Sequence, residues 1–285
     1  MPIVSLTDAL AEGRRRGCGV ANFWAGGAEA TIGIVRAAEA MNAPIVLCYN
    51  RPLCPQFPMA LGFAMMRSAA ERMAVPIALT LDHGADPGEC REAIECGATG
   101  VMYDGSHLPL EDNLEITREV VRMAHAAGVS VEAEVGSIGG SAIEYGLDHS
   151  VEGVFTDPES ATMFVDATGI DALAISVGNA HGRYSATPRI RYDLVREIAS
   201  RVSVPLVLHG ASGLTDTEYQ KIVDAGITKI NYYSEGSRRV IEQLRAFLTV
   251  DRGEMLSHNV SRFLIEAWER ETCSVLALLG HVAAD

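Results

Sequence analysis

The chain has 285 residues, 48% hydrophobic and 21% charged, too apolar for a disordered protein and long enough for a large packed core. Lys and Arg total 23 against 37 Asp and Glu, a net charge of −14. That balance argues against nucleic acid and anionic membranes as partners, because both call for a basic surplus.

Met1 to Gly19 carries Arg14, Arg15 and Arg16 with no apolar run behind them, so it does not read as a secretory signal, and a cytoplasmic location is expected. No stretch approaches the ~20 apolar residues that span a bilayer. The cysteines at positions 18, 48, 54, 90, 96 and 273 form no CxxC pair and read as reduced packing residues. Lysine occurs only at Lys221 and Lys229, which leaves few candidates for Schiff-base chemistry.

Short β-type runs recur in chain order: Gly19 to Trp24, Pro44 to Asn50, Pro76 to His83, Gly100 to Asp104, Ser130 to Gly136, Ala172 to Gly178, Pro205 to His209 and Lys229 to Tyr233. Segments between them, such as Gly27 to Met41 and Glu111 to Ala127, repeat apolar residues every three to four positions, the period of an amphipathic helix. Alternating strand and helix implies a parallel sheet, and near-continuous apolar strands imply that both faces are buried. Eight such units predict an α/β fold, a single (β/α)8 TIM barrel over residues 1–285, with Asp251 to Asp285 left for extra C-terminal helix. A doubly wound open sheet is the alternative, but no GxGxxG follows the first run. The Gly-rich segment Gly136 to Ser150 reads as a mobile loop over the site.

In such a barrel the chemistry gathers at the C-terminal ends of the strands. Those ends read Leu81-Asp82-His83-Gly84, Tyr103-Asp104-Gly105-Ser106-His107, Glu132-Ala133-Glu134-Val135-Gly136, Gly178-Asn179-Ala180-His181-Gly182 and Leu208-His209-Gly210-Ala211-Ser212-Gly213. His83, His181 and His209 therefore converge on one mouth, and three neutral imidazoles with an open position suit a catalytic Zn²⁺. Asp82, Asp104 and Glu134 stand beside them as anchors or as an acid and base; of the alternating pair Glu132 and Glu134, Glu134 is favoured because it lies nearer the strand end. Gly210, Ser212 and Gly213, with Asn231 and Ser234 one strand later, offer backbone N–H groups and small hydroxyls of the kind that bind phosphate after strands seven and eight.

These motifs, in this order and spacing over nearly the whole chain, resemble the class II, metal-dependent ketose-bisphosphate aldolases, the family of fructose-bisphosphate and tagatose-bisphosphate aldolases. The resemblance implies a lyase that splits a phosphorylated ketose into dihydroxyacetone phosphate and an aldehyde through a metal-stabilised enediolate. It assigns His83, His181 and His209 as zinc ligands, with another divalent metal or an added monovalent cation as alternatives. Glu134 and Asp104 would support the metal or bind it in a second position. Asp82 would exchange the proton of the C4 hydroxyl; Gly182, Gly210, Ser212 and Ser234 would hold the phosphate, and Asn231 would touch the hydroxyls. A homodimer or homotetramer is the family's usual assembly.

Two segments depart from the family. The loop after the fifth strand usually reads Gly-Gly-Gln-Glu-Asp, and its Glu moves the proton on the enediolate carbon; here Ala142 stands in that place, with Glu144, Asp148 or His149 as substitutes. The eighth strand reads Asn231-Tyr232-Tyr233-Ser234-Glu235, placing Tyr233 where the family has a small or acidic residue facing the aldehyde half. The expected aldehyde is therefore other than glyceraldehyde 3-phosphate. The competing readings are a metal-dependent ketose epimerase, and a sugar-phosphate-binding paralogue with little or no turnover.

Overall fold

The computed structural model describes residues 2–53, 55–140, 153–181, 189–250 and 255–283. In chain order the elements run α1 (Leu6–Arg16), β1 (Val20–Trp24), α2 (Ala28–Ala40), β2 (Ile45–Tyr49), α3 (Met59–Ala70), β3 (Ile77–Gly84), α4 (Pro87–Glu95), β4 (Gly100–Tyr103), α5 (Leu110–Ala126) and β5 (Ser130–Val135). They continue β6 (Gly139–Gly140), α6 (Pro158–Thr168), β7 (Ala172–Ile175), β8 (Ala180–His181), α7 (Tyr192–Arg201), β9 (Leu206–Leu208), α8 (Asp216–Ala225), β10 (Ile227–Tyr232), α9 (Ser234–Thr249) and α10 (Ser257–Leu278).

Eight strands close into a parallel barrel in the order β1-β10-β9-β7-β5-β4-β3-β2. Each corresponds to one of the runs read from the sequence. Side chains alternate across a strand, so every second residue points into the barrel. The inward residues nearest the strand starts, Val20, Val46, Ala78, Met102, Ala172 and Val207, form an apolar layer that Leu6, Ala9 and Leu10 of α1 seal from below. Burying each of those leucines contributes about 1.5–3 kcal/mol. Two residues further along the same rows stand polar side chains, among them Asn22, Thr80 and His209. The bottom of the barrel interior is thus largely apolar, broken by Glu132 and Lys229, which are in register with Met102 and Ala172 and with Val20. The outward residues, such as Phe23, Leu47, Leu79 and Ile175, pack under the helices in the main core.

β6 and β8 form a separate parallel pair in which Gly139 faces Ala180 and Gly140 faces His181. Within the Gly136 to Ser150 segment, read as a mobile loop, Gly139 and Gly140 are therefore paired as a strand, and residues 141–152 lie outside the described part of the chain. The pairing holds the backbone that carries His181. The extra C-terminal helix expected from the sequence is α10, and it packs against α2 and α9.

α10 is tied to the barrel by a buried polar contact. The Tyr232 hydroxyl donates to Glu271 Oε1 at 2.6 Å, and Glu271 also faces the Arg239 guanidinium at 3.4 Å. Burial and the adjacent Glu271 carboxylate push the Tyr232 phenol well up, so it remains a donor. Tyr232→Phe leaves that carboxylate short of a partner and is expected to lower stability by about 1–3 kcal/mol in urea unfolding. An unchanged midpoint would show that Arg239 alone satisfies Glu271.

Candidate active site

The site lies at the polar end of the barrel. Asp82, His83, His181, His209, Gly210, Ser212, Asn231, Tyr233 and Ser234 all line one pocket there, joined by Asn22, Trp24, Cys48 and Asn50. Asp104 and Glu134 stand behind His83 rather than on the pocket wall. Glu144 and Gly182 lie outside the described residues.

β3 presents two consecutive side chains to the pocket, which strict alternation forbids. The explanation is local: His83 takes φ 50°, and the register between β3 and β4 shifts between Leu81 and Gly84. A left-handed non-glycine residue costs about 1–2 kcal/mol, a strain found mostly where function needs it. Gly210 solves a similar problem at the end of β9. It has φ 63°, and a Cβ there would lie 2.2 Å from the Ala180 carbonyl oxygen, so only glycine lets this turn approach the strand that carries His181.

The three imidazoles are oriented by what they touch. Asp104 Oδ2 lies 2.7 Å from His83 Nδ1, and Glu132 Oε1 lies 2.8 Å from His209 Nε2. A carboxylate only accepts, so each of these nitrogens carries a hydrogen, and the other nitrogen of each ring is left for a second partner. Those two, His83 Nε2 and His209 Nδ1, stand 3.0 Å apart. Two imidazole nitrogens at that distance share a proton or a cation. Ligand atoms of His83, His181 and His209 lie within 4.8 Å of one another, and two nitrogens bound tetrahedrally to one Zn²⁺ stand roughly 3.3 Å apart. The residues present fit a divalent metal.

The electrostatics agree. Burial lowers the His83 pKa, but Asp82 and Asp104 outweigh it and raise it to about 10, so the metal-free site draws positive charge to this point. Burial pushes His181 well down and His209 down, which keeps both imidazoles neutral, the form that binds metal. Glu134 is buried with Oε2 lacking a hydrogen-bond partner among the described residues, and burial with the nearby Asp104 raises its pKa well above the usual range. With His83 and Asp104 it forms a second group of three possible ligands.

Asp82 is held on both oxygens. Asn50 Nδ2 donates to Oδ2 at 3.3 Å, and Asn231 Nδ2 donates to Oδ1 at 3.0 Å. Burial raises its pKa, but the positive charge of His83, with that of Lys229, outweighs this and lowers it, so the carboxylate is charged and can take a proton.

Sequence reading missed three contributors. Glu132, passed over in favour of Glu134, is as deeply buried and orients His209. Lys229, read at the entrance of its strand, is buried inside the barrel with Nζ 2.8 Å from Glu132 Oε2. Its position two residues before Asn231 on β10 puts both on the inner face, and that spacing was the available signal. Asn50 is the third, at the end of β2. Lys229→Met leaves Glu132 buried without its ammonium and is expected to cost about 3–5 kcal/mol in denaturant unfolding. Adding Glu132→Gln should restore part of that loss. A single variant as stable as the parent would mean that the hydrogen bond from His209 alone satisfies Glu132.

A closed parallel barrel with three histidines and a braced carboxylate at the C-terminal strand ends defines a metal-dependent barrel enzyme. The family model described as fructose-bisphosphate aldolase class-II matches residues 4–281. The fructose-bisphosphate aldolase of Staphylococcus epidermidis is 34% identical over 258 residues, 88% of each chain. The 6-phospho-5-dehydro-2-deoxy-D-gluconate aldolase of Shouchella clausii is 35% identical over 241 residues, covering 82% of this chain and 80% of that one. Among solved structures, the YdjI aldolase of Escherichia coli K12 superposes with a TM-score of 0.86 at 28% identity, covering 98% of this chain and 97% of that one. This chain belongs to the class II fructose-bisphosphate aldolase family and is a carbon–carbon lyase. Among the described residues no helix is long and apolar enough to cross a membrane.

Proposed function

We propose that the enzyme, acting as a single domain, reversibly cleaves a ketose 1-phosphate to dihydroxyacetone phosphate and an aldehyde, with Zn²⁺ or another divalent cation on His83, His181 and His209. The observation that carries this reading is the cluster of three imidazoles, with His83 Nε2 and His209 Nδ1 3.0 Å apart and Asp82 beside them held by two amides. When bound, the cation supplies a Lewis acid that stabilises negative charge on the carbonyl and hydroxyl oxygens of the three-carbon fragment.

The chain's own groups do the rest. Asp82 takes the proton of the C4 hydroxyl as the C3–C4 bond breaks, the electron pair stays on C3, and the aldehyde departs; in condensation the same proton returns. Asn50 and Asn231 keep the carboxylate aimed, which a proton transfer over hydrogen-bond distance requires. The C3 proton then needs a second group, and we assign it to Glu144, with Asp148 or His149 as substitutes. The phosphate is held by Ser212, Gly210, Gly182 and the N-terminus of α9 at Ser234, where the positive end of the helix dipole favours an anion. Asp104 and Glu134 support His83 or offer a second cation position. A homodimer or homotetramer in the cytoplasm completes the proposal. It is supported by the exposed Leu248, Val250 and Leu256, which a second copy would cover, and sedimentation tests it.

The deciding experiment is a retro-aldol assay on purified, zinc-loaded protein with a panel of phosphorylated and free ketoses and a chelated control. Chelator-sensitive release of dihydroxyacetone phosphate is the expected result. Silence across the panel with zinc demonstrably bound would overturn the proposal and favour a sugar-phosphate-binding role or epimerisation.

A further inference from the structure

We propose that the aldehyde half of the substrate is uncharged and hydroxylated, and that Trp24 and Tyr233 form the wall that selects it. This inference rests on the aldolase reading above. Trp24 ends β1 and Tyr233 follows β10, and the pairing of Asn22 with Asn231 and Phe23 with Tyr232 brings the two side by side. Their rings meet edge to face, centroids 4.8 Å apart at 76°. A Cβ on Gly26 would lie 2.1–2.4 Å from the six-membered ring of Trp24, so the indole is seated between that glycine and Tyr233. Both aromatic residues line the pocket that contains Asp82.

Their place in the barrel assigns them to one half of the substrate. The phosphate-binding residues sit on the loops after β9 and on α9, while β1 and β2 separate β10 from β3 and its Asp82. Carbon atoms beyond C4 start at Asp82, so on the β1–β2 side they meet Trp24, Leu53, Cys48 and Asn50.

This wall suits neutral groups. An aromatic face carries the negative end of the ring quadrupole and repels a phosphate dianion, while packing well against sugar C–H groups. Among the described residues the pocket lining contains no Lys or Arg. Arg238 pairs with Glu235 and Glu242, Arg239 pairs with Glu235 and Glu271, and Arg262 is exposed on α10. What the lining offers instead is acceptors: the Asp82 carboxylate, and Asn22 Oδ1, which is buried without a hydrogen-bond partner among the described residues. Hydroxyl groups donate to such atoms, and an ionised phosphate has no hydrogen to give. Burial pushes the Cys48 thiol well up, so it too is neutral.

The test compares kcat/KM for condensation of dihydroxyacetone phosphate with glyceraldehyde and with glyceraldehyde 3-phosphate. Glyceraldehyde is expected to be preferred roughly tenfold or more, and Tyr233→Ala and Trp24→Leu should each move that ratio toward one. A preference for the phosphorylated aldehyde overturns the inference, as does a ratio unchanged in two folded variants. The parent ratio needs no variant, so the inference stays falsifiable if either fails to fold. Solvent exchange of the C3 proton of dihydroxyacetone phosphate, measured on the zinc-loaded parent, separates the two levels. Exchange without the aldehyde preference overturns this inference alone; absence of exchange and condensation overturns the aldolase reading with it.

Discussion

His181→Ala is expected to release the bound metal and to lower kcat/KM for cleavage by at least about a thousandfold, equivalent to losing ~4 kcal/mol of charge stabilisation. His181 supplies one of three nitrogens gathered within 4.8 Å, and burial already keeps it neutral, so its removal takes away a ready ligand. The effect on metal affinity should exceed the roughly 10–100-fold cost of losing a hydrogen-bonding partner behind a ligand. Glu132→Gln provides that milder case, because Glu132 touches His209 through Nε2, away from His83. Metal content by elemental analysis, with titration of zinc back into chelated protein, gives both readings. A His181→Ala protein that keeps stoichiometric metal and full turnover would remove this residue from the site.

Asp82→Ala is expected to lower kcat for cleavage by about 10²–10⁴, the usual contribution of a positioned acid or base. Its metal content should stay at the parent level, because Asp82 faces the amides of Asn50 and Asn231 rather than standing among the grouped ligands. That pairing of lost turnover with retained metal separates a proton carrier from a ligand. Loss of both together would mean that Asp82 holds the cation, and loss of neither would leave the C4 proton to another group. Asn50→Ala is the informative companion: it frees one carboxylate oxygen, and a smaller drop in kcat than in Asp82→Ala would measure what aiming contributes.

Much of this protein is legible along the chain, and the reason is periodicity. Eight apolar runs separated by amphipathic segments can bury both faces of a sheet only if it is parallel and covered by helices, and the barrel has its strands at those runs. Residues at the strand ends are legible too, because a parallel barrel collects the ends of all its strands at one mouth; Asp82, His83, His181 and His209 meet there. What the chain alone does not show is which partner each side chain finds across the barrel. Glu132 and Lys229 are far apart in sequence and meet at 2.8 Å only because β5 and β10 both turn alternate residues into one interior. Asn50 and Asn231 reach the same carboxylate from opposite sides for the same reason. The left-handed turn at His83 is likewise invisible in composition, since backbone strain of ~1–2 kcal/mol is tolerated only when the surrounding strands impose it. Periodicity determined the barrel and the mouth; closure of the barrel decided which imidazole nitrogens face each other and which carboxylate is held ready to move a proton.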